Sequence, residues 1–297
     1  SMMNRAMEHF EILKVNEKPS FFVTHCDIPY KVKDYTLKHY VKQIRNRFLN
    51  VLAETYGVDT SDKALRKAVK EHNEVCKIIT EIGDMRKLEN PPITGYEFHV
   101  LNLVTYCCPK SKILPYLKET LAEIKKRKVD AKPWYRCRVA LIGSEIDDLD
   151  MTRMVEDAGA MIVADRFCFG STPGREVIEL NDTDDVLTQI CAHYLKTTQC
   201  PRYMSQEKIQ ERRDTINRLA TENGAEGIIY ESMKFCDFWA FERALASHIM
   251  NEEYGWPVLS IDRPYMARSS GQLRTRLQAF VESLEIKQIH KAAKEDK

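Results

Sequence analysis

No stretch of this 297-residue chain approaches the roughly 18 consecutive apolar residues needed to cross a bilayer. Its start, SMMNRAMEHFEILK, lacks the apolar core of a secretory signal, and the Ser ahead of Met2 reads as a cloning remnant. An excess of one charge sign is lacking too. The formal net charge is +1, which gives no reason to expect nucleic acid as a partner. We therefore expect a cytoplasmic protein with no membrane and no nucleic-acid partner. No Cys-x-x-Cys pair occurs among the nine cysteines, at 26, 76, 107, 108, 137, 168, 191, 200 and 236, so zinc ribbons and ordinary ferredoxin sites are poorly supported. Gly170-Ser171-Thr172-Pro173-Gly174 lacks the lysine of a phosphate-binding loop, and the first strands carry no G-x-G-x-x-G. Internal repeats, low-complexity tracts and long flexible linkers are absent as well.

What is present is an ordinary globular composition, with 43% hydrophobic and 30% charged residues. A chain of this length buries about three quarters of its extended surface, enough for one large domain or two ordinary ones. Phe21-Phe22-Val23 reads as a short strand, so residues 1–30 are expected to be the remnant of an N-terminal α/β unit. Residues 31–130 read as helical. Val41, Ile44, Phe48 and Leu52 form one stripe, and Leu65, Val69, His72, Cys76 and Ile79 a second. Ile113, Leu117, Leu121 and Ile124 form a third, which ends in a basic run, Lys125 to Lys128, suited to a helix C-terminus. His72 on its stripe is read as a core or boundary histidine.

After Pro133 the period changes. Val139 to Gly143, Gly159 to Asp165, Gly227 to Tyr230 and Val258 to Asp262 are apolar runs without alternation, as buried parallel strands should be. Helices are expected near 148–158, 184–196, 206–222 and 238–250, and the last carries Leu273, Leu277, Phe280, Val281 and Leu284 on one face. The fold class is thus α/β, a helical N-terminal region followed by mostly parallel, Rossmann-like sheet units. We place the first unit at 131–205 and the second at 206–297.

In such sheets the loops leaving the carboxyl ends of the strands carry the chemistry. Here those loops begin at Gly143-Ser144-Glu145, Asp165-Arg166-Phe167-Cys168, Lys234-Phe235-Cys236-Asp237 and Asp262-Arg263-Pro264-Tyr265. Cys236 has three readings: buried filler, a nucleophile needing a base brought from elsewhere, or a metal or cluster ligand favoured by an adjacent helix N-terminus. Asp237 can cap that helix, while Phe235, Phe238 and Trp239 would place apolar bulk beside the sulfur. Ser269-Ser270-Gly271-Gln272 offers a weak anion cradle at the start of the last helix. Arg274 and Arg276, two residues apart, do not share a helical face.

Lys234-Phe235-Cys236-Asp237, taken with Gly271-Gln272-Leu273-Arg274-Thr275-Arg276-Leu277-Gln278-Ala279-Phe280, resembles subunits of the 2-hydroxyacyl-CoA dehydratase and benzoyl-CoA reductase family. Asp27-Ile28-Pro29-Tyr30, Gly159 to Asp165 and Cys200-Pro201 agree with it, so the similarity runs from about residue 20 to residue 285. The resemblance implies a related second subunit, a CoA-thioester substrate, a [4Fe-4S] cluster and a separate ATP-dependent iron–sulfur activator protein. It implies that Cys236 is the third cysteine ligand, the other two belonging to an N-terminal α/β domain that has no counterpart in residues 1–20. Cys26 and Cys200 are not promoted to those roles. Ser144 and Arg166 are expected to frame the thioester, and Arg274 and Arg276 to serve CoA phosphate or docking. The leading expectation is a subunit, or most of one, of a radical (R)-2-hydroxyacyl-CoA dehydratase that is inactive alone. A benzoyl-CoA reductase-type subunit and a cluster-free scaffold or partner subunit are the alternatives.

Overall fold

The structure is a computed structural model that describes residues 9, 24, 26–129, 133–171, 175–265 and 271–295. The strand expected at Phe21-Phe22-Val23 and the Ser269-Ser270 half of the expected anion cradle lie outside the described residues. The chain divides into two compact units, one of residues 1–70 with 178–198, the other of 71–177 with 199–297.

The first unit holds helices α1 (Asp34–Ile44) and α2 (Asn50–Tyr56), joined without a break by one π-helical turn, Arg45–Leu49. Gly57, at φ +63°, ends α2 in the left-handed conformation that glycine tolerates best. Arg45 reaches Asp185 at 2.9 Å, and Arg66 donates to the Asn181 carbonyl at 2.9 Å. These bonds tie residues 178–198 to the helices that precede them. Helix α3 (Asp62–Asp84) begins in this unit and carries the expected stripe, with Val69, Cys76 and Ile79 buried.

In the second unit α3 packs with α4 (Gly95–Cys107) and α5 (Lys110–Ile124) around Val75, Ile79, Ile82, Phe98, Ile113 and Leu117. A reciprocal capping box starts α4: Glu97 N donates to Thr94 Oγ1 at 3.1 Å, and Thr94 N to Glu97 Oε2 at 3.0 Å.

The sheet follows. Its strands β1 (Cys137–Glu145), β2 (Ala160–Cys168), β3 (Gly227–Met233) and β4 (Val258–Arg263) are all parallel, in the order β2-β1-β3-β4. Strands from both expected α/β stretches therefore share one sheet. Between them run α6 (Leu149–Asp157), α7 (Val186–Thr197, in the first unit), α8 (Gln206–Glu222) and α9 (Asp237–Glu252); α10 (Gly271–Glu295) ends the chain. Helices α6 and α10 cover one face through Met151, Val155, Leu273, Leu277 and Val281. Helices α8 and α9 cover the other through Ile216, Ala220, Trp239, Ala246 and Met250. With both faces covered, the central strand β1 is buried almost throughout, which is why it reads as an unbroken apolar run.

Both sheet edges are closed by charged side chains. On β2 the Arg86 guanidinium donates to the Ile162 carbonyl at 3.3 Å, and Glu156 accepts the Ile162 N–H at 3.5 Å. On β4 Arg276 donates to the Ser260 carbonyl at 2.6 Å. An edge strand whose polar groups are occupied in this way does not template another strand.

Candidate functional site

At the carboxyl end of β3 the chain turns through Lys234 and Phe235 into α9, with Cys236 at the N-cap position. Phe235 sits at φ +72°, which directs its ring into solvent and sets Cys236 at the helix start. Left-handed backbone on a non-glycine residue costs about 1–2 kcal/mol and persists only where the surroundings impose it. Here the restraint is visible. Lys234 N donates to the Arg263 carbonyl at 2.8 Å, extending the β3–β4 ladder past the turn, and Cys236 N donates to Met233 O at 3.2 Å. Arg243 ties α9 back to the strands, donating to Ser232 Oγ at 2.8 Å and Ser260 Oγ at 2.6 Å. A buried Arg212–Glu242 pair, 2.9 Å apart, locks α9 to α8.

Two strands away, β2 ends in the same manner. Cys168 is its last residue, followed by Phe169 at φ +66°, whose ring packs edge-on against Tyr106 with centroids 5.8 Å apart. Cys168 reaches the face of Cys236 because β2 carries a bulge: Val139 pairs with Ile162 but Ala140 with Ala164. Ala160 and Ile162 thus face α6 and α10, while Ala164 and Cys168 face α8 and α9, where Cys236 packs against the same apolar cluster. Trp239 stands beside both sulfurs. Burial pushes the Cys168 thiol up to about 12, with Cys200 and Glu145 adding to the rise and the Trp239 side chain, hydrogen-bonded to the sulfur, opposing it. Burial also pushes the Cys236 thiol up, while the Trp239 backbone N–H works against the rise. Cys200 and Glu145 act on Cys236 too, so three thiols and a carboxylate share one neighbourhood.

Beneath these loops lies a buried polar network. Ser144 donates to Glu231 Oε1 at 2.9 Å and accepts the Met233 N–H at 2.6 Å. Glu231 Oε2 accepts from Arg263 Nε at 3.0 Å, and Arg263 also donates to the carbonyls of Glu145 and Tyr265. Burial raises the Glu231 carboxyl to about 7, with Arg263 and Ser144 acting against it. Gly143 makes this packing possible, because a Cβ there would meet the Glu231 carbonyl at 2.3 Å. On the neighbouring loop buried His99 holds the Ile146 carbonyl at 2.8 Å.

Two cavities, about 610 and about 310 Å³, open elsewhere, beside Arg136, Arg138 and Glu226 and beside Pro92, Trp134 and Tyr135. Arg136, Arg138 and Glu226 stand where β1 and β3 begin, at the opposite ends of the strands from Cys236. The guanidinium of Arg138 is already engaged by the carbonyls of Lys87, Leu88 and Asn223. The chemistry-bearing side chains lie at the carboxyl ends, where open parallel sheets hold their ligands.

A family model described as 2-hydroxyglutaryl-CoA dehydratase, D-component, matches residues 3–284. The chain belongs to this family. A benzoyl-CoA reductase subunit of Thauera aromatica is 24% identical over 273 residues, 90% of this chain and 69% of that protein. The (R)-phenyllactyl-CoA dehydratase beta subunit of Clostridium sporogenes is 25% identical over 258 residues, 86% and 67% of the two chains. The (R)-2-hydroxyglutaryl-CoA dehydratase beta subunit of Acidaminococcus fermentans is 23% identical over 294 residues, 93% and 72% of the two.

Against this dehydratase and reductase background, the expected site residues fall in different places. Cys236 is half-buried at the carboxyl edge of the sheet. Ser144 is fully buried, and its hydroxyl is occupied within the Glu231 network. Arg166 is largely buried and meets Glu176 at 3.4 Å, while its Nε has no partner. Arg274 is exposed on α10, which covers the other face of the sheet from α9, and Arg276 caps the β4 edge. Cys168 went unassigned because the bulge that turns it toward Cys236 leaves no mark in an apolar run. Among the described residues no three Cys, His, Asp or Glu side chains, Cys236 included, are arranged to hold a metal ion. Among the described residues, no helix is long and apolar enough to cross a membrane.

Proposed function

We propose that this chain is one subunit of a multi-subunit (R)-2-hydroxyacyl-CoA dehydratase of the cytoplasm, and that it carries no complete cluster site of its own. The observation that carries this reading is Cys236 at the start of α9, beside Cys168 and Trp239, within a motif of a family whose model spans residues 3–284. The reaction removes the hydroxyl from C2 and a proton from C3 of the acyl thioester. It conserves electrons overall, so an activating electron from a separate ATP-dependent iron–sulfur protein is returned each turnover. In this reading the chain walls the thioester from water with Phe169, Phe235 and Tyr265, exposed rings on the loops after β2, β3 and β4. Cys236 would supply one sulfur to a [4Fe-4S] centre only where residues outside the described set completed it. The Ser144–Glu231–Arg263 network acts from below by fixing the backbone of those loops, and Arg166 is assigned to framing the thioester.

The dehydratase branch is preferred to the ring-reductase branch because the matching family description and two of the three relatives above are dehydratases. The test is anaerobic co-expression with a related second subunit. The complex is expected to carry iron that falls when Cys236 is replaced by Ser, and to dehydrate a 2-hydroxyacyl-CoA once its activator and ATP are added. Unchanged iron content in Cys236→Ser would overturn the role given to this thiol.

A further inference from the structure

Helix α4 ends at Cys107, and the backbone of Cys108 (φ −119°, ψ 146°) and Pro109 (φ −57°, ψ 132°) is extended before α5 begins at Lys110. Proline at this place leaves α4 short of a donor. The carbonyl of Thr105 points toward residue 109, its partner four positions on, and Pro109 has no N–H to give it. The Lys110 ammonium donates to Thr105 O instead. That bond holds the amine at the end of α4, 6.0 Å from the centroid of the Tyr106 ring. Burial lowers the Lys110 pKa, with the thiols of Cys76 and Cys108 acting the other way. More of this lysine is therefore free amine near neutral pH than of a lysine in water.

Of the two thiols that act on the amine, Cys108 is the one a solute can meet. Cys76 is 1% exposed, whereas Cys108 lies on the surface. Residues two apart in an extended stretch share a side of the chain and are about 7 Å apart, within reach of a lysine side chain. A surface thiol and a partly desolvated amine thus stand side by side. The thiol is the better nucleophile in water, and an amine held beside a thioester attacks it without a second encounter.

We propose that Cys108 and Lys110 form an acyl-acceptor site for thioesters, in which the thiol takes the acyl group first and the amine keeps it. The Cys108 thiolate attacks the thioester carbonyl, a new C–S bond forms and the CoA thiolate leaves. The Lys110 amine then attacks the same carbon, an amide C–N bond forms and the C–S bond to Cys108 breaks. The proton lost by nitrogen restores the thiol, no electron is gained or lost, and no further reactant is needed. The product is an amide that removes one positive charge from the junction of α4 and α5. From the acyl-CoA reading this borrows only the thioester; it needs neither turnover nor a cluster, so either can fail alone.

Incubating the full chain with acetyl-CoA in mildly alkaline buffer, then mapping acetyl groups by peptide mass spectrometry, tests it. Lys110 is expected to be acetylated faster than the exposed lysines. Cys108→Ser is expected to slow Lys110 about tenfold and to leave the other lysines unchanged. Cys107→Ser, one residue away, should not alter the rate at Lys110. In Lys110→Arg, whose guanidinium can still donate to Thr105 O, the acetyl group should stay on Cys108 and be released by hydroxylamine, which cleaves thioesters and spares amides. Acetylation of Lys110 no faster than that of exposed lysines, or indifferent to Cys108→Ser, would overturn the proposal, as would the lack of a thioester on Cys108 in Lys110→Arg.

Discussion

Buried among Trp239, Ile216 and Met250, the Tyr230 hydroxyl has no hydrogen-bond partner. A neutral hydroxyl left dry costs about 1–3 kcal/mol. Tyr230→Phe is therefore expected to match or exceed the stability of the parent by up to about 1 kcal/mol, as read from urea unfolding. A clear loss would mean that the oxygen is satisfied by a bound water. His99 carries the opposite lesson. Burial lowers its pKa, and in its neutral form Nε2–H donates to Ile146 O while Nδ1 accepts from the Thr152 hydroxyl. A histidine depressed in the fold binds its proton more readily once unfolded. Its contribution is therefore complete above the unfolded value near 6.5 and drains away as pH falls below it. Melting temperatures measured from pH 7.5 down to 5 should fall, and His99→Asn should flatten that slope. An equally steep slope in the variant would assign the acid sensitivity to other groups.

At the scale of elements, the two left-handed phenylalanines beside Cys168 and Cys236 identify the places where the fold accepts local cost. Phe235→Gly removes the penalty, so the turn is expected to gain about 1 kcal/mol, visible as a higher melting temperature. No gain would mean that the exposed ring is already held by contacts that offset the strain. The β2 edge responds in the other direction. Arg86 is paired with buried Asp165 at 2.6 Å as well as capping Ile162. Arg86→Met strands that carboxylate and should cost about 3–5 kcal/mol, with part recovered in a double variant that also carries Asp165→Asn. Much at this scale was legible in the sequence. The four strand runs, the stripe through Val69, Cys76 and Ile79, and the helix at 206–222 follow directly from periodicity and flanking glycines. The bulge at Val163 was not legible, because it arises from the pairing of β2 with β1 and shifts side chains between faces without changing composition. For the same reason Cys236 could be placed at a strand–helix junction from sequence, whereas its proximity to Cys168, Cys200 and Glu145 depends on contacts far apart in the chain.

For the whole molecule, the chemistry-bearing side chains gather at the carboxyl edge of a parallel sheet in a chain of the dehydratase family, while the cavity beside Arg136, Arg138 and Glu226 opens at the other end of the strands. Residues 178–198 group with residues 1–70, through the Arg45–Asp185 and Arg66–Asn181 bonds. Such long-range pairings between polar surface residues leave no periodic trace. The central claim is that this chain contributes one thiolate and a shielding wall, but not a full metal site. Anaerobic reconstitution of the isolated chain with iron and sulfide, followed by desalting and assay of iron and acid-labile sulfide, tests that claim most directly. The account predicts well under one [4Fe-4S] equivalent per chain, with no difference between the parent and Cys236→Ser. A stoichiometric cluster lost on replacing Cys236 would contradict it.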